Sequence, residues 1–263
     1  MYEKNRRLAR PAAAAPAEET EGQLEGRNAL QEALRSGRTV DKVFIAAGEI
    51  DRGLQRLAAE AKEAGAVVVP VDRRKLDAMS FTHAHQGVIA LAAAHVYYSI
   101  DDILEEAASR GEAPLIVICD ELSDPHNLGA ILRSAECAGA HGVIIPKRRS
   151  VGLTATVAKA SAGAVGYMKV ARVTNISAAI AELKQKGVWV FGTAAEGSIP
   201  MYQADLSGPA AIVIGSEGDG MSQLVRKNCD VMVNIPMKGR ISSLNASAAA
   251  SILLYEALRQ RLG

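Results

Sequence analysis

Hydrophobic positions along the second half of the chain follow two alternating patterns. Short continuous apolar runs, such as LIVIC and AAIVI, alternate with stretches in which apolar residues recur every three or four positions. Continuous runs are typical of strands covered on both faces of a parallel sheet, and the longer spacing is typical of amphipathic helices. The pattern therefore predicts an α/β domain with a mostly parallel sheet over residues 113–263.

The elements predicted in this domain alternate along the chain. Strands are predicted at LIVICD, GVIIP, GYMKVARV, VWVFGT, AAIVIGS and VMVNIP. Helices are predicted at Asn127–Ala138, Thr154–Ala162, Ile176–Lys186 and Met221–Asn228, and a last helix is predicted to begin near Ser242 or Ser243. In the first helix, a buried stripe is predicted from the spacing of Leu128, Ile131, Leu132 and Ala135.

The first half of the chain contains shorter elements. Residues 22–95 alternate between helix and strand patterns, which predicts a second, small α/β domain. Residues 96–112 include a charged helical stretch and are predicted to connect the two domains. Residues 1–21 are basic, then rich in alanine and proline, then acidic, so a disordered tail is predicted there.

Composition excludes several classes of protein. The chain has 263 residues, of which 49% are hydrophobic, and a formal net charge of +1, which neither requires nor excludes nucleic acid. No apolar run approaches the roughly 18–20 residues that a membrane helix needs, and the N-terminus lacks a signal-peptide pattern. Because Cys119, Cys137 and Cys229 form no CxxC pair, we expect buried thiols in a soluble, cytoplasmic protein.

Four polar, mostly glycine-rich loops follow predicted strands: DELSDPHN, GTAAEG, GSEGDGMS and PMKGRISSLN. In open α/β sheets, ligands bind at the carboxyl ends of the strands, so these loops predict a site at one edge of the sheet. The glycines of GSEGDG do not match the dinucleotide-binding GxGxxG pattern, and the chain has no GxxxxGK[ST] phosphate loop. A nicotinamide- or ATP-dependent enzyme is therefore disfavoured.

The polar residues of these loops each have a functional and a structural interpretation. Asn127 is placed to cap the helix that follows it, and Arg133 lies beside the core edge, either in a surface ion pair or as a phosphate ligand. Glu217 either orients a substrate hydroxyl or is an ordinary turn carboxylate. Gly192 and Thr193 would allow a flat ligand to approach the backbone closely.

The start of the last helix offers a further candidate site. Ser243 and Asn245 lie beside backbone N–H groups that have no partner within the helix, and such groups bind carboxylates or phosphates. An ordinary buried helix with serine caps is the alternative. Lys147, Arg148 and Arg149 follow a strand end, where they are either solvated or bind RNA phosphates.

The loop THAHQG contains two histidines, His83 and His85. No carboxylate or cysteine spacing supports a metal site there. We interpret both as polar loop groups that are available to stack on, or hydrogen-bond to, a base.

Three segments carry a resemblance to a known family. DPHNLGAILRSAECAGAHGVIIP, IGSEGDGM and IPMKGRISSLNASAAA, in this order and spacing, resemble the signature motifs of the SpoU (TrmH-like) branch of the SPOUT RNA 2′-O-ribose methyltransferases. With EGRNALQEAL near the start and the HQG loop, residues 22–263 resemble the subfamily that methylates a guanosine of 23S ribosomal RNA. Three ordered motifs are far more specific than one. SLNAS stands where SLNVS is more usual, which changes packing rather than chemistry.

The resemblance implies a fold and a cofactor. The N-terminal domain would be an RNA substrate-binding domain like ribosomal protein L30e, and the C-terminal SPOUT domain would contain a deep trefoil knot, which apolar patterns could not predict. A homodimer with active sites near the subunit interface is implied, and no metal. S-adenosylmethionine would bind in the knot against Gly192, Thr193, Gly215, Ile235, Met237 and Leu244.

The resemblance also assigns catalytic roles. Arg133 is the leading catalytic residue, and Asn127, Glu217, Ser243 and Asn245 would orient it, the ribose and the cofactor. An arginine with its usual high pKa is a poor base, so we expect Arg133 to position the RNA phosphate and stabilise charge.

Several functions remain open at this point. The expected reaction is 2′-O-methylation of a guanosine in 23S ribosomal RNA, but the same reaction on a tRNA or on another ribosomal nucleotide fits the motifs equally. A non-catalytic RNA-binding module is disfavoured because Arg133, Glu217 and Asn245 are all present. A small-molecule enzyme that uses a nucleotide is disfavoured because phosphate loops are missing.

Overall fold

A computed structural model describes residues 22–48, 51–195, 197–216, 218 and 220–263. The predicted tail, residues 1–21, lies outside the described residues. Within these residues there are two sheets, a mixed sheet of four strands and a parallel sheet of seven strands.

The four-stranded sheet is built from the first part of the chain. Its strands are β1 (Gln23–Glu25), β2 (Val40–Ala46), β3 (Val67–Val71) and β4 (Val88–Ala92), in the order β1-β4-β2-β3. Its helices are α1 (Arg27–Arg35), α2 (Arg52–Glu63) and α3 (Arg73–Met79). β4 runs antiparallel to β1 and β2, and β2 runs parallel to β3.

The seven-stranded sheet is built from the second part of the chain. Its strands are β5 (Leu115–Cys119), β6 (Gly142–Pro146), β7 (Lys169–Val173), β8 (Trp189–Thr193), β9 (Ile199–Pro200), β10 (Ala210–Ile214) and β11 (Val231–Asn234). They lie in the order β7-β6-β5-β10-β8-β11-β9, and every neighbouring pair is parallel. The prediction of a mostly parallel sheet is confirmed.

Helices cover both faces of the parallel sheet. They are α4 (Ile100–Arg110), α5 (Pro125–Cys137), α6 (Ala155–Ala160), α7 (Ile176–Gln185), α8 (Gln223–Asn228) and α9 (Ala246–Leu262), with short 3₁₀ turns at Ala164–Gly166 and Met201–Gln203. α5, α6 and α9 contribute to one hydrophobic core, and α4, α7 and α8 contribute to the other. Successive residues of β5 alternate between these cores, because side chains of a strand point to opposite faces in turn. This arrangement explains the continuous apolar runs.

The predicted connection, residues 96–112, contains α4. Ser99 caps this helix and accepts a hydrogen bond from the backbone N–H of Asp102, whose carboxylate in turn accepts from the N–H of Ser99. Ile100, Ile103 and Ala107 of α4 are buried in the core of the parallel sheet. The connection is therefore packed onto the second sheet.

A buried ion pair joins the two sheets. Arg172 of β7 donates from Nη1 to Oδ1 of Asp41 in β2 at 2.5 Å, and their side chains are 8% and 9% exposed. The Tyr97 hydroxyl donates to Asp41 Oδ2 at 3.1 Å and accepts from the backbone N–H of Leu153 at 2.8 Å. The contact fixes the first sheet against the second.

Two helix starts differ from prediction. α5 begins at Pro125 and is capped by Asp124, so the prediction that Asn127 caps it is wrong. α9 begins at Ala246 with Asn245 as its cap, so a start at Ser242 or Ser243 is also wrong. In both cases a neighbouring side chain caps the helix.

The predicted buried stripe of α5 is confirmed, since Leu128, Ile131, Leu132 and Ala135 are all 0% exposed. The prediction of three buried thiols is confirmed for Cys119, while Cys229 is only partly buried. It is wrong for Cys137, which is exposed because it lies off that stripe. Among the described residues, no helix is long and apolar enough to cross a membrane. The trefoil knot, the likeness to L30e and the boundaries at residues 22, 96 and 113 stay predictions.

Candidate active site

A cleft of about 590 Å³ lies at the carboxyl edge of the parallel sheet. Ligand sites usually have volumes of about 300–1,000 Å³. Three of the four predicted loops line the cleft, each following a strand: β8 ends at Thr193, β10 at Ile214 and β11 at Asn234. Its floor is apolar, with Val233 and Leu253 among its residues. The structure thus brings together loops that lie up to 51 residues apart, from Thr193 to Leu244.

The loop after β10 folds back on itself. Ser216 and Gly220 exchange two backbone hydrogen bonds, of 2.9 and 3.1 Å. A Cβ atom at Gly215 would lie 2.3 Å from the carbonyl carbon of Gly220. Gly215 therefore allows the tight turn that forms one wall of the cleft.

A second cleft, of about 470 Å³, adjoins the first. Ser216 and Gly218 line both clefts. The fourth predicted loop lines the second cleft, which is formed by Glu121, Leu122, Ser123, Asp124, Asn127, Arg149, Ser216 and Gly218. We call the first the main cleft and the second the side cleft. Two molecules bound in these clefts would meet at the shared wall.

Asn127 and Asn245 connect the two clefts. The Asn245 amide Nδ2 donates to Asn127 Oδ1 at 2.8 Å. The Asn245 Oδ1 accepts from the backbone N–H groups of Ser247 and Ala248, at 2.9 and 3.3 Å. Asn127 is 5% exposed and lines the side cleft, and Asn245 directly follows residues of the main cleft.

Most of the predicted cofactor residues line the main cleft. They are Thr193, Gly215, Ile235, Met237 and Leu244, and the predicted catalytic Ser243 lines it too. Gly192 does not line it. A Cβ atom there would meet Cys229 Sγ and Met232 Sδ, each at 2.8 Å, because alternate residues of β8 face opposite sides.

Arg133 lies apart from both clefts. It is exposed on α5, six residues beyond Asn127, which corresponds to a rise of roughly 9 Å along the helix axis. Within the described part of the chain, no hydrogen bond or ion pair joins it to another side chain. The expectation that Arg133 lies beside the core edge is wrong. Glu217 lies outside the described residues.

Two thiols near the clefts are unsuited to nucleophilic chemistry. Burial, with the nearby Asp120 carboxylate, raises the pKa of Cys119 to about 12. Burial also raises the pKa of Cys229 to about 11. A thiolate is the reactive form of cysteine, so neither sulfur serves as a nucleophile at neutral pH.

The loop THAHQG is ordered by its own polar groups. His85 is 3% exposed, with Nε2 at 2.9 Å from Asp77 Oδ1 and Nδ1 accepting from the Gly87 N–H at 3.1 Å. The interpretation of His85 as available to a base is therefore wrong, while His83 is exposed. In the described ranges, no group of three or more histidine, cysteine, aspartate or glutamate residues is placed to hold a metal ion.

Sequence reasoning missed several residues of the clefts. Arg240, Ile241 and Ala249 also line the main cleft, and Glu121 lines the side cleft. Arg240 and Ile241 lie in the same loop as Ser243, and Glu121 directly follows the strand β5 and Asp120. Position after a strand was the signal that could have identified Glu121.

Comparison with known proteins identifies the family. The sequence profile described as "SpoU rRNA Methylase family" matches residues 114–255, more than half of the chain. The chain belongs to the SpoU methylase family. A second profile, "RNA 2'-O ribose methyltransferase substrate binding", matches residues 23–98 of this SpoU protein. The resemblance drawn from the three motifs is confirmed.

Two curated relatives of this SpoU protein match over nearly their whole length. A putative TrmH family tRNA/rRNA methyltransferase, YacO of Bacillus subtilis, is 47% identical over 236 residues, which cover 90% of this chain and 94% of the relative. The 23S rRNA (guanosine-2'-O-)-methyltransferase RlmB of Ralstonia nicotianae is 43% identical over 240 residues, which cover 90% of this chain and 95% of the relative.

Two solved methyltransferase structures share the fold of this SpoU protein. The methyltransferase AviRb of Streptomyces viridochromogenes, in complex with AdoMet, is 26% identical with a TM-score of 0.59, covering 91% of this chain and 90% of that one. An AdoMet-bound rRNA methyltransferase of Sinorhizobium meliloti has the same identity and TM-score, and the match covers 92% of this chain and 88% of that one.

Proposed function

We propose that this SpoU protein transfers a methyl group from S-adenosylmethionine to the ribose 2′-oxygen of a guanosine in 23S ribosomal RNA, in the cytoplasm. The methyl donor supplies an electrophilic methyl group bound to a sulfonium sulfur. The transfer would form a C–O bond to the ribose and break the methyl C–S bond, whose electron pair stays on the sulfur of the released S-adenosylhomocysteine. The 2′-hydroxyl proton passes to the solvent.

The observation that carries this proposal is the pair of adjoining clefts tied together by Asn127 and Asn245. The main cleft has the volume and the apolar floor for a nucleoside-containing cofactor. Backbone groups near Thr193, Gly215 and Leu244 line its walls. The side cleft offers room for the acceptor nucleotide next to the shared wall at Ser216.

Positioning is the main contribution of the protein. A ribose hydroxyl is a very weak acid, so holding the reacting oxygen in line with the methyl group supplies much of the rate enhancement. Asn127, Ser243 and Asn245 would orient the ribose and the cofactor, and Glu217 is assigned the same role from the motif. Arg133 would bind the RNA phosphate and stabilise developing charge.

The active site is proposed to be completed by dimerisation. Arg133 is exposed and lines neither cleft of its own chain. An arginine on the α5 surface would reach an active site if a second copy packed against this helix. A homodimer with active sites near the subunit interface satisfies this requirement.

The target nucleotide is supported by the relative named as a 23S rRNA guanosine methyltransferase. Ribose-methylation mapping of total RNA, from cells with and without the protein, tests it. We expect one 2′-O-methylguanosine in 23S ribosomal RNA to depend on the protein. Reconstitution with purified protein and an unmodified 23S transcript should restore the same mark.

Other outcomes of this experiment identify the alternatives. A protein-dependent 2′-O-methyl group on a tRNA or another ribosomal nucleotide would replace the proposed target and keep the reaction. RNA binding without any protein-dependent methyl group would favour a non-catalytic RNA-binding module.

A further inference from the structure

We propose that Arg149 binds a phosphodiester of the acceptor RNA, and that Glu121 holds this arginine at the mouth of the side cleft until RNA displaces the carboxylate. The inference rests on the proposed methyl transfer to RNA. Both residues line the side cleft, and Arg149 Nη1 donates to Glu121 Oε1 at 2.9 Å.

The backbone at both residues is held in an uncommon conformation. Glu121 has φ 57° and Arg149 has φ 56°. These values lie in the left-handed region of backbone conformation, which residues other than glycine rarely adopt. Such conformations persist where the surroundings enforce them, and they cluster at ligand-binding sites. Here two strand-end loops are fastened together, because Leu122 O accepts from the Ser150 hydroxyl at 2.8 Å and from the Val151 N–H at 2.9 Å.

The ion pair is of a kind that an anion can replace. The Arg149 side chain is 79% exposed and that of Glu121 is 39% exposed, so the attraction is weakened by water. A guanidinium carries five N–H donors in a planar fork that matches phosphate oxygens. Within the described part of the chain, Glu121 is the hydrogen-bond partner of the Arg149 side chain. Other donors of the fork are therefore available to an incoming ligand.

The location of the cleft identifies the anion as an RNA phosphate. The side cleft shares Ser216 and Gly218 with the main cleft, so a ribose beside the methyl donor must occupy it or its mouth. The phosphates next to that ribose then lie at the rim. Arg148, directly before Arg149 and also exposed, adds positive charge to this loop. Without the arginine, the Glu121 carboxylate would repel the RNA backbone.

The two residues should therefore have opposite effects on RNA binding. Arg149→Gln removes a charged phosphate contact, and we expect KM for an unmodified 23S transcript to rise roughly tenfold. Glu121→Gln frees the arginine and removes a negative charge, and we expect KM for RNA to fall roughly two- to fivefold. The kcat value and the dissociation constant of S-adenosylmethionine should stay within about twofold in both variants.

Salt dependence gives a second measurement that needs no turnover. Loss of one phosphate contact should reduce the slope of log K against log salt by about 0.7 for single-stranded RNA. Arg110→Gln and Glu105→Gln are matched controls, because they make the same charge changes on α4. The end of this helix leads into the start of β5, at the edge of the sheet opposite to the two clefts. Both controls should leave KM and the slope unchanged.

The proposal is overturned if Arg149→Gln and Glu121→Gln shift KM in the same direction, which is the result expected of a purely structural ion pair. It is also overturned if Arg149→Gln behaves like Arg110→Gln. Failure of the proposed function is a separate result, in which the unaltered protein methylates no RNA. The salt slopes of RNA binding still test Arg149 in that case.

Discussion

The amide of Asn245 donates to the side-chain oxygen of Asn127 across 2.8 Å, and 118 positions of sequence separate the two residues. The same Asn245 side chain caps α9 through its oxygen. One residue therefore sets the start of α9 and ties the loop of the main cleft to the helix beside the side cleft.

Asn245→Ala should lose both functions of this side chain. Loss of a helix cap typically costs about 0.5–2 kcal/mol of unfolding free energy. We also expect methyl transfer to fall, because the cleft loop is no longer tied to Asn127. Chemical denaturation and single-turnover kinetics measure the two effects.

Asn175 provides the matched control, since its side chain caps α7 by accepting from the Ala178 N–H at 3.2 Å. Asn175→Ala should lose comparable stability and retain full methyl transfer. Equal activity of the Asn245→Ala and Asn175→Ala proteins would show that Asn245 is only a cap.

Apolar spacing alone predicted the parallel sheet and the buried stripe of α5. The stripe follows from a repeat of 3.6 residues, and residues such as Leu128 and Ile131 satisfy it without reference to distant contacts. The alternation of strand residues could likewise have predicted that Gly192 faces away from the cleft, because its neighbour Thr193 faces it.

The cap of α5 could have been predicted locally, but the partner of Asn127 could not. Asp124 and Asn127 are both cap-forming residue types within one turn, with Pro125 between them favouring the first helical position. The side-chain oxygen of Asn127 instead accepts a hydrogen bond from Asn245, which lies 118 positions further along the chain. The meeting of Glu121 with Arg149 depends in the same way on adjacent strands, whose order apolar spacing does not specify.

Gly215→Ala should weaken cofactor binding. The added Cβ atom would lie 2.3 Å from the backbone of Gly220, so the turn must open and the cleft wall must move. Overpacking of this kind costs about 1–3 kcal/mol, and we expect a comparable loss in the affinity for S-adenosylmethionine, measured by calorimetry. Gly208→Ala, where a Cβ atom meets nothing within 4 Å, should bind the cofactor normally. Equal affinities would contradict the role given to the turn.

Arg133→Ala should abolish methyl transfer while leaving the fold and cofactor binding intact. The side chain is exposed, so we expect the unfolding free energy to change by less than about 0.5 kcal/mol. Loss of one group that stabilises charge typically lowers kcat by about 10²–10³-fold. Arg133→Lys keeps the charge and loses the fork, so intermediate activity is expected. Turnover like that of the unaltered protein would remove Arg133 from the mechanism.

Arg172→Met should destabilise the contact between the two sheets. The Asp41 carboxylate would stay buried without its charged partner, which typically costs about 3–5 kcal/mol. A double variant, Asp41→Leu with Arg172→Met, should recover much of that loss because no charge is left buried. Arg56→Met, which breaks an exposed pair with Glu60, should cost less than about 1 kcal/mol. Urea denaturation of the unaltered protein, the two single variants Arg172→Met and Asp41→Leu, the double variant and the control gives the comparison. A loss in the double variant equal to the sum of the two single losses would contradict the coupling.

Glu25 should make the N-terminal sheet sensitive to acid. Burial alone would raise the pKa of its carboxyl, but hydrogen bonds outweigh burial and hold the pKa at about 2. The donors from the loop Ser80–Thr82 are Thr82, the Phe81 N–H at 2.7 Å and the Ser80 hydroxyl at 2.8 Å, and the Gln23 amide also donates at 2.8 Å. Because the folded-state pKa lies below the ordinary value of 4.5, the charged carboxylate stabilises the fold above pH 4.5. That contribution is lost as the pH falls from 4.5 to about 2.

Glu25→Gln should therefore destabilise the protein at pH 7 and have a progressively smaller effect as the pH falls through this window. Urea denaturation at pH 7, 4 and 3 measures the difference from the unaltered protein, and carbon NMR of the Glu25 carboxyl reports its titration directly. Glu63→Gln, at the exposed end of α2, should change the unfolding free energy by less than about 0.5 kcal/mol at pH 7. A difference that is constant with pH, or a Glu25 midpoint near 4.5, would show that these hydrogen bonds do not hold the loop Ser80–Thr82 against β1.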